Sequence, residues 1–290
     1  MTEPITLKAY GKINVFLRVL GRRSDGYHDI ETLVLPVSLF DTVTVEPASG
    51  LTLELEGEPS VVARLHLADP DSNLALVAAR TLAEAAGVDT DRSGTHLHIV
   101  KRIPVAGGMA GGSADAAAVL NALNELWSCG FDRDRLAEIG LRVGSDVPAM
   151  LAGGPLLARG RGEVLHPVYA TTTPWIVKLL DLSVAAADAY RWWDEGGTGS
   201  GPDGGVVVAA LETGATGSLG AAIFNDLEAG IVAHHPEITE VREALLAAGA
   251  EAAFVSGSGP TVVALAPHMI HADTIADRVP GSIVVTGPPG

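Results

Sequence analysis

Between residues 8 and 19 apolar and polar side chains alternate, with Ile13, Val15, Leu17 and Val19 on one face and Lys12, Asn14, Phe16 and Arg18 on the other. A period of two predicts a strand, and it sets Lys12 and Asn14 side by side, away from the aliphatic row. The turn signal Ser24-Asp25-Gly26 follows. Strand-like runs recur at 33–39, 42–46 and 51–56. The period then changes: Leu74, Val77, Ala78 and Leu82 predict a helix over 73–86 that Gly87 stops. Residues 96–100 alternate again. Ala116, Val119, Leu120, Leu123 and Trp127 recur at helical spacing, so an amphipathic helix is expected there, and another near 133–143. Beyond residue 155 the pattern turns to loops and short strands. EGGTGSGPDGG, residues 195–205, reads as a flexible connection. The tail predicts helices near 220–233 and 236–248, a strand at 252–256, a turn at Ser256–Pro260, a strand at 261–266, a helix near 269–278 and a last strand at 282–286. Such mixing, with an antiparallel hairpin, points to a small α+β second domain.

One stretch breaks the pattern. PVAGGMAGGSADAAAVLNAL, residues 104–123, places Gly107, Gly108, Gly111 and Gly112 directly before an alanine-rich helix. Glycine costs a helix more than any residue but proline, so its presence there needs a reason. A helix N-terminus offers unsatisfied N–H groups and the positive end of the dipole. Glycines ahead of it let an anion approach the backbone. Ser113 stands where an N-cap belongs. The stretch therefore reads as a phosphate cradle, or as a tight turn that Ser113 simply caps. No Lys-Ser/Thr follows, so it is not a Walker loop, and no βαβ unit with an acidic residue makes it a Rossmann fingerprint.

Composition narrows the ligand. The 290 residues are 47% hydrophobic and 19% charged, a globular balance, and the net charge of −16 repels nucleic acid and anionic membranes. A phosphate-bearing ligand must then be held by local donors. One cysteine, Cys129, excludes an internal disulfide and has no local reason to be reactive. MTEPITLKAYGK has no apolar signal region, and the weakly polar stretch 245–266 contains Glu251 and Pro260. A soluble cytoplasmic protein is expected.

Four stretches together carry a resemblance. PVAGGMAGGSADAA resembles the second motif of the GHMP kinases (galactokinase, homoserine, mevalonate and phosphomevalonate kinases), usually Pro, three residues, then Gly-Leu-Gly-Ser-Ser-Ser. Here it runs Met109-Ala110-Gly111-Gly112-Ser113. KINVFLRVLGRRSDGYHDIETL is similar to the first motif, LRVGSDVPAMLAGG to the segment with the catalytic aspartate, and FVSGSGPTVVAL to the third motif. The match runs from residue 8 to about 266. The Asp-Gly-Tyr-His element and the Ser-Ala-Asp-Ala-Ala continuation are closest to the branch that acts on a cytidine diphosphate derivative of methylerythritol in the non-mevalonate isoprenoid pathway.

The resemblance implies an α+β fold of two domains. Residues 1–156 would form an N-terminal ribosomal-protein-S5-domain-2-like domain that binds ATP. Residues 157–290 would form a C-terminal ferredoxin-like α/β sandwich that closes over substrate. It implies ATP with Mg²⁺, and a monomer or homodimer. The ATP loop would comprise Pro104, Val105, Ala106, Gly107, Gly108, Met109, Ala110, Gly111, Gly112, Ser113 and Ala114.

Asp146, in Gly-Ser-Asp-Val-Pro, is by itself either a helix N-cap or a base; the resemblance makes it the base. A lone strand lysine is commonly a solvated edge residue, whereas the resemblance pairs Lys12 with Asp146 at the transferring phosphate and has Asn14 bind substrate. Tyr27 and His28, read alone, are a core tyrosine and a surface histidine. A cytosine ligand would explain both, one stacking and the other meeting the base edge. The second aromatic for that base would be Tyr190, with Trp192 and Trp193 beside it left open. Ser256, Gly257, Ser258 and Gly259 would bind through backbone N–H groups, or form a bare hairpin turn.

Asp115 would aid Mg²⁺ indirectly or face solvent. His96 and His98 share a strand face without a third ligand at a recognisable spacing, and His234-His235 precede Pro236 at the surface. Two rivals stand beside this reading. One is a small-alcohol kinase such as a homoserine kinase, which gives Tyr27 nothing to stack on. The other is a nucleotide-binding regulator, which would be free to lose Lys12 or Asp146.

Overall fold

A computed structural model describes residues 3–58, 69–105, 107–196 and 201–289. The chain folds as two compact units interleaved in sequence. The first takes Met1–Gly11, Leu39–Val105 and Ala110–Gly153; the second takes Lys12–Ser38, Ala106–Met109 and Gly154–Gly290.

Strands β1 (Ile5–Arg22) and β2 (His28–Ala48) each give residues to both units. The first unit adds β3 (Leu51–Gly57), helix α1 (Leu74–Ala86), β4 (Gly94–Lys101), α2 (Gly111–Leu126), α3 (Arg133–Val143) and α4 (Val147–Ala152). Thr42 of β2 lies opposite Val100 in an antiparallel ladder, and β3 runs parallel to β4 with Leu53 opposite Leu97. Alternation points Val43, Val45, Leu97 and Ile99 to one side. There they meet Ala78 and Leu82 of α1, Leu120 and Leu123 of α2, and Leu136 and Ile139 of α3 in one core. Asn73 caps α1 by accepting from the Ala75 amide at 2.9 Å, and Gly87 ends it at φ +67°.

The second unit adds β5 (Leu156–Gly160), β6 (Val164–Pro167), β7 (Thr173–Lys178), α5 (Ala186–Gly196), α6 (Gly204–Thr213), α7 (Thr216–Ala222), β8 (Phe224–Asn225), α8 (Glu228–His234), α9 (Glu237–Ala247), β9 (Ala252–Val255), β10 (Val262–Leu265), α10 (Met269–Arg278) and β11 (Ser282–Gly287). Strands β11, β7, β10 and β9, in that order, form an antiparallel sheet in which Ile176 faces Ala264 on one side and Val284 on the other. Ile238 and Leu245 of α9 and Ala272 and Ile275 of α10 cover it. No helix among the described residues is long and apolar enough to cross a membrane.

Three expectations change. The runs at 33–39 and 42–46 are a single strand. Its polar interruption, Asp41, is fully buried and accepts from the Arg102 and Ile103 amides instead of ending the ladder. The helix expected near 220–233 is broken between Ile223 and Leu227. Phe224 and Asn225 pair in parallel with Phe16 and Leu17, and the Asn225 side-chain Nδ2 donates to the carbonyls of Val255 and Gly257 at 2.8 Å each. Those long-range bonds outweigh a local helical pattern.

The connection at 195–205 is built in at both ends, with 197–200 outside the described residues. Glu195 and Gly196 finish α5, and Gly204 opens α6 with Asp203 as its cap and its own amide donating to Glu31 Oε2 at 2.9 Å.

Candidate active site

In the second unit the polar face of β1 is buried. Lys12 and Asn14 are each 8% exposed, so Lys12 is not a solvated edge residue. Its Nζ donates to Asn14 Oδ1 at 2.7 Å and to the Gly108 carbonyl at 2.8 Å, while its amide donates to the Met109 carbonyl at 3.0 Å. The alternation read from sequence thus delivers a buried cation to the glycine stretch.

Asn14 is fixed on every side. Its Nδ2 donates to Thr32 Oγ1 at 2.9 Å, and its amide donates to Ser256 Oγ at 2.9 Å. Ser256, Gly257, Ser258 and Gly259 form the β9–β10 turn beside it, with Ser256 fully buried. The Thr261 hydroxyl donates to the Gly107 carbonyl, so the 107–109 segment and the 256–259 turn are tied within this unit. Two glycines are required by space. A Cβ on Gly257, at φ +59°, would stand 2.8 Å from Asn14 Oδ1; one on Gly108, at φ +69°, would stand 3.0 Å from the Gly259 carbonyl.

In the first unit α2 starts at Gly111, earlier than expected. The N-cap is Ala110 in the left-handed region at φ +54°, with no side-chain capping bond, and its carbonyl accepts from the Ala114 amide at 2.8 Å. Ser113 is therefore inside the helix and is not its cap. Gly111, Gly112 and Ser113 have first-turn amides without intrahelical acceptors, at the positive end of a 16-residue helix, a setting that favours phosphate oxygens. Pro104 and Val105 precede this stretch half-buried; Ala106 lies outside the described residues. Asp146 occupies the N-cap position of α4 and is exposed, yet its carboxylate makes no capping bond. The plain N-cap reading does not hold.

Asp115 corrects its expectation. It is the fifth residue of α2 and is buried, so it does not face solvent. Lys101 Nζ donates to Asp115 Oδ2 at 2.6 Å and to Asp41 Oδ2. Burial pushes the Asp115 carboxyl up to about 7, with Asp41 adding repulsion and Lys101 offsetting part of it. Burial by itself would lower Lys101, but the two carboxylates outweigh it and hold the ammonium above its ordinary value. Because Asp41 also takes the Arg102 and Ile103 amides, this cluster joins the strand end before the glycine stretch to the helix after it.

Of the base-recognition candidates, His28 and Tyr190 meet at α5. His28 stacks on Tyr190, with ring centroids 4.8 Å apart at 17°, and meets the edge of Trp193 at 5.7 Å. Trp192 turns away to stack on His234 at 4.0 Å, so Tyr190 is the ring stacked on His28 and Trp193 the one at its edge. Tyr27 is 55% exposed with the Arg161 guanidinium 3.8 Å above its ring. His96 and His98 pair across the ladder with Glu54 and Glu56. No group of three His, Cys, Asp or Glu side chains among the described residues is arranged to hold a metal. Sequence reasoning missed Asp41, Lys101, Thr261, Arg161 and Asp194; of these only Thr261 stands within one of the four resembling stretches, FVSGSGPTVVAL.

The family model "GHMP kinases N terminal domain" matches residues 73–154, and "GHMP kinases C terminal" matches 207–283. A protein of Symbiobacterium thermophilum named 4-diphosphocytidyl-2-C-methyl-D-erythritol kinase is 39% identical over 275 residues, 94% of each chain. One of the same name from Salinispora tropica is 42% identical over 280 residues, 94% of this chain and 87% of that one. The crystal structure of a 4-(cytidine 5'-diphospho)-2C-methyl-D-erythritol kinase superimposes with a TM-score of 0.81 at 34% identity, covering 99% of this chain and 100% of that one.

The chain belongs to the 4-diphosphocytidyl-2-C-methyl-D-erythritol kinase branch of the GHMP kinases. It is accordingly a small-molecule kinase with the two-domain α+β fold of that family. A homoserine kinase of Cytophaga hutchinsonii, 19% identical with a TM-score of 0.70 over 99% of this chain and 95% of that one, shares the fold alone.

Proposed function

We propose that this kinase transfers the γ-phosphate of ATP to the 2-hydroxyl of 4-diphosphocytidyl-2-C-methyl-D-erythritol, giving the 2-phosphate and ADP in the non-mevalonate isoprenoid pathway. The observation that carries the reading is Lys12, a buried cation held between Asn14 and the Gly108 carbonyl. Phosphoryl transfer leaves a protein chiefly positioning and charge stabilisation to supply. Asp146 takes the hydroxyl proton as the oxygen attacks phosphorus and the bond to the ADP oxygen breaks. Lys12 offsets charge on the transferring group, and Asn14 orients the substrate.

Residues 104–114 cradle the phosphates, and 256–259 contribute backbone donors. Tyr27, His28 and Tyr190 take the cytosine. Magnesium would travel with the nucleotide phosphates; the described side chains form no three-ligand site for it, and no step is assigned to it. The reading keeps the functional division at 156/157, and the family matches at 73–154 and 207–283 are compatible with it.

The test is ADP release with Mg-ATP and, in parallel, the cytidyl substrate, homoserine and mevalonate. Turnover is expected on the first alone. Asp146→Asn should lower kcat on it by about 10²–10⁴-fold; a variant within tenfold of wild type would remove Asp146 as base. Turnover on homoserine or mevalonate would overturn the substrate.

A further inference from the structure

The geometry points to Asp194 as a specificity-determining residue: by accepting the His28 Nε2 proton it leaves Nδ1 as a hydrogen-bond acceptor, so the site selects a base that presents an amine and rejects one that presents a carbonyl. The inference rests on the reading above that His28 meets the base of the substrate.

The contact is direct. His28 Nε2–H donates to Asp194 Oδ1 at 2.8 Å, and an ionised carboxylate can only accept. In a neutral imidazole the hydrogen bond at one nitrogen sets the state of the other, here a lone pair on Nδ1. Among the described residues Nδ1 has no hydrogen-bond partner of its own, nor is it a buried orphan. The ring is also held in place: its side chain is 8% exposed, stacked on Tyr190 and edge-on to Trp193.

Helix α5 supplies both restraints, because Tyr190 and Asp194 are four residues apart on one face. The second Asp194 oxygen lies 3.5 Å from Arg22 Nη1, which fixes the carboxylate from the β1 side. Cytosine carries an amine donor where uracil carries a carbonyl oxygen. An acceptor on Nδ1 pairs with the first and opposes two lone pairs in the second. Asp194 touches no substrate in this scheme; it acts through His28 and is a positioning residue.

The experiment compares kcat/KM for the cytidine diphosphate substrate and its uridine diphosphate counterpart in wild type, Asp194→Ala and Asp194→Asn, with long-range ¹H–¹⁵N spectra of His28 in each. Wild type should show the Nε2–H form and a strong preference for the cytidine compound. Asp194→Ala should lose the bias toward Nε2–H and lower the cytidine-to-uridine ratio by about tenfold or more, with Asp194→Asn in between.

An unchanged ratio in a folded variant, or an Nδ1–H form in wild type, overturns the assignment. A wild type that turns over neither compound sinks the substrate reading instead, while its spectrum still decides whether Asp194 holds the tautomer. If Asp194→Ala fails to fold, Asp194→Asn carries the same comparison.

Discussion

In the first unit Lys101, Asp41 and Asp115 form a cluster whose side chains are 4%, 0% and 7% exposed; in the second, Asp194 joins His28 to Arg22, which is 63% exposed. One sets two aspartates around a single lysine and the other sets one aspartate between a histidine and an arginine, and solvent makes them different devices. The dry cluster has had its charges stripped of water, so each must be matched by a partner or lose its charge. It accordingly shows the raised Asp115 carboxyl and the raised Lys101 ammonium. The wet side is the Arg22–Asp194 pair, which gains little from Coulomb attraction; what Asp194 contributes is direction, the choice of which nitrogen of the buried His28 ring donates. Stability is concentrated in the one and recognition in the other.

The largest expected effect tests the dry side. Lys101→Met leaves Asp41 and Asp115 buried without their cation, and breaking a buried pair by removing one partner costs about 3–5 kcal/mol. Urea unfolding should show that loss. A change under about 1 kcal/mol would mean that water reaches the cluster and that the contrast with Asp194 is false. Because Asp41 and Asp115 brace the two ends of the glycine stretch, the surviving folded variant should also bind ATP more weakly.

A second test uses the proton. Burial pushes the Asp115 carboxyl up to about 7 from its ordinary 3.8, so the folded protein holds the proton more tightly than the unfolded chain. The stabilisation from that proton is complete below about pH 4 and is lost as pH rises through about 7. Asp115→Asn keeps the site uncharged at all pH values. Its stability relative to wild type should therefore climb between about pH 4 and about pH 7 and level off above that, read by thermal melting. A difference that is flat across this range would show Asp115 ionised throughout and paired with Lys101 like a surface ion pair.

These two regions were unequally readable. Helices α3 and α10 follow from apolar periodicity alone, and Asp132 and Gly87 mark ends by local capping chemistry. The glycine stretch and the Lys12–Asn14 face were visible because their chemistry lies within a few residues of chain. The Lys101 cluster was not: Asp41 and Lys101 are 60 residues apart and meet only once β2 and β4 are in register.

Ser113 looked like a cap because serine favours that position, but Ala110 in the left-handed region starts the helix three residues sooner. Asp194 stood in plain view in RWWDEGG and gave no signal, since its meaning depends on His28, 166 residues away. Long-range pairing, rather than weak local propensity, is what hid the rest.

The smallest expected effect is on the wet side. Arg22→Gln removes the cation beside Asp194 while leaving the His28 hydrogen bond intact. An exposed pair of this kind contributes about 0–1 kcal/mol, so unfolding should move by no more than that, and added salt should shrink even this difference. The cytidine preference should persist, because the carboxylate that holds the ring is still there. A loss of stability as large as that of Lys101→Met would show that Arg22 and Asp194 are a structural pair after all. Stability and recognition would then reside in the same contacts, and burial would no longer separate the two aspartates.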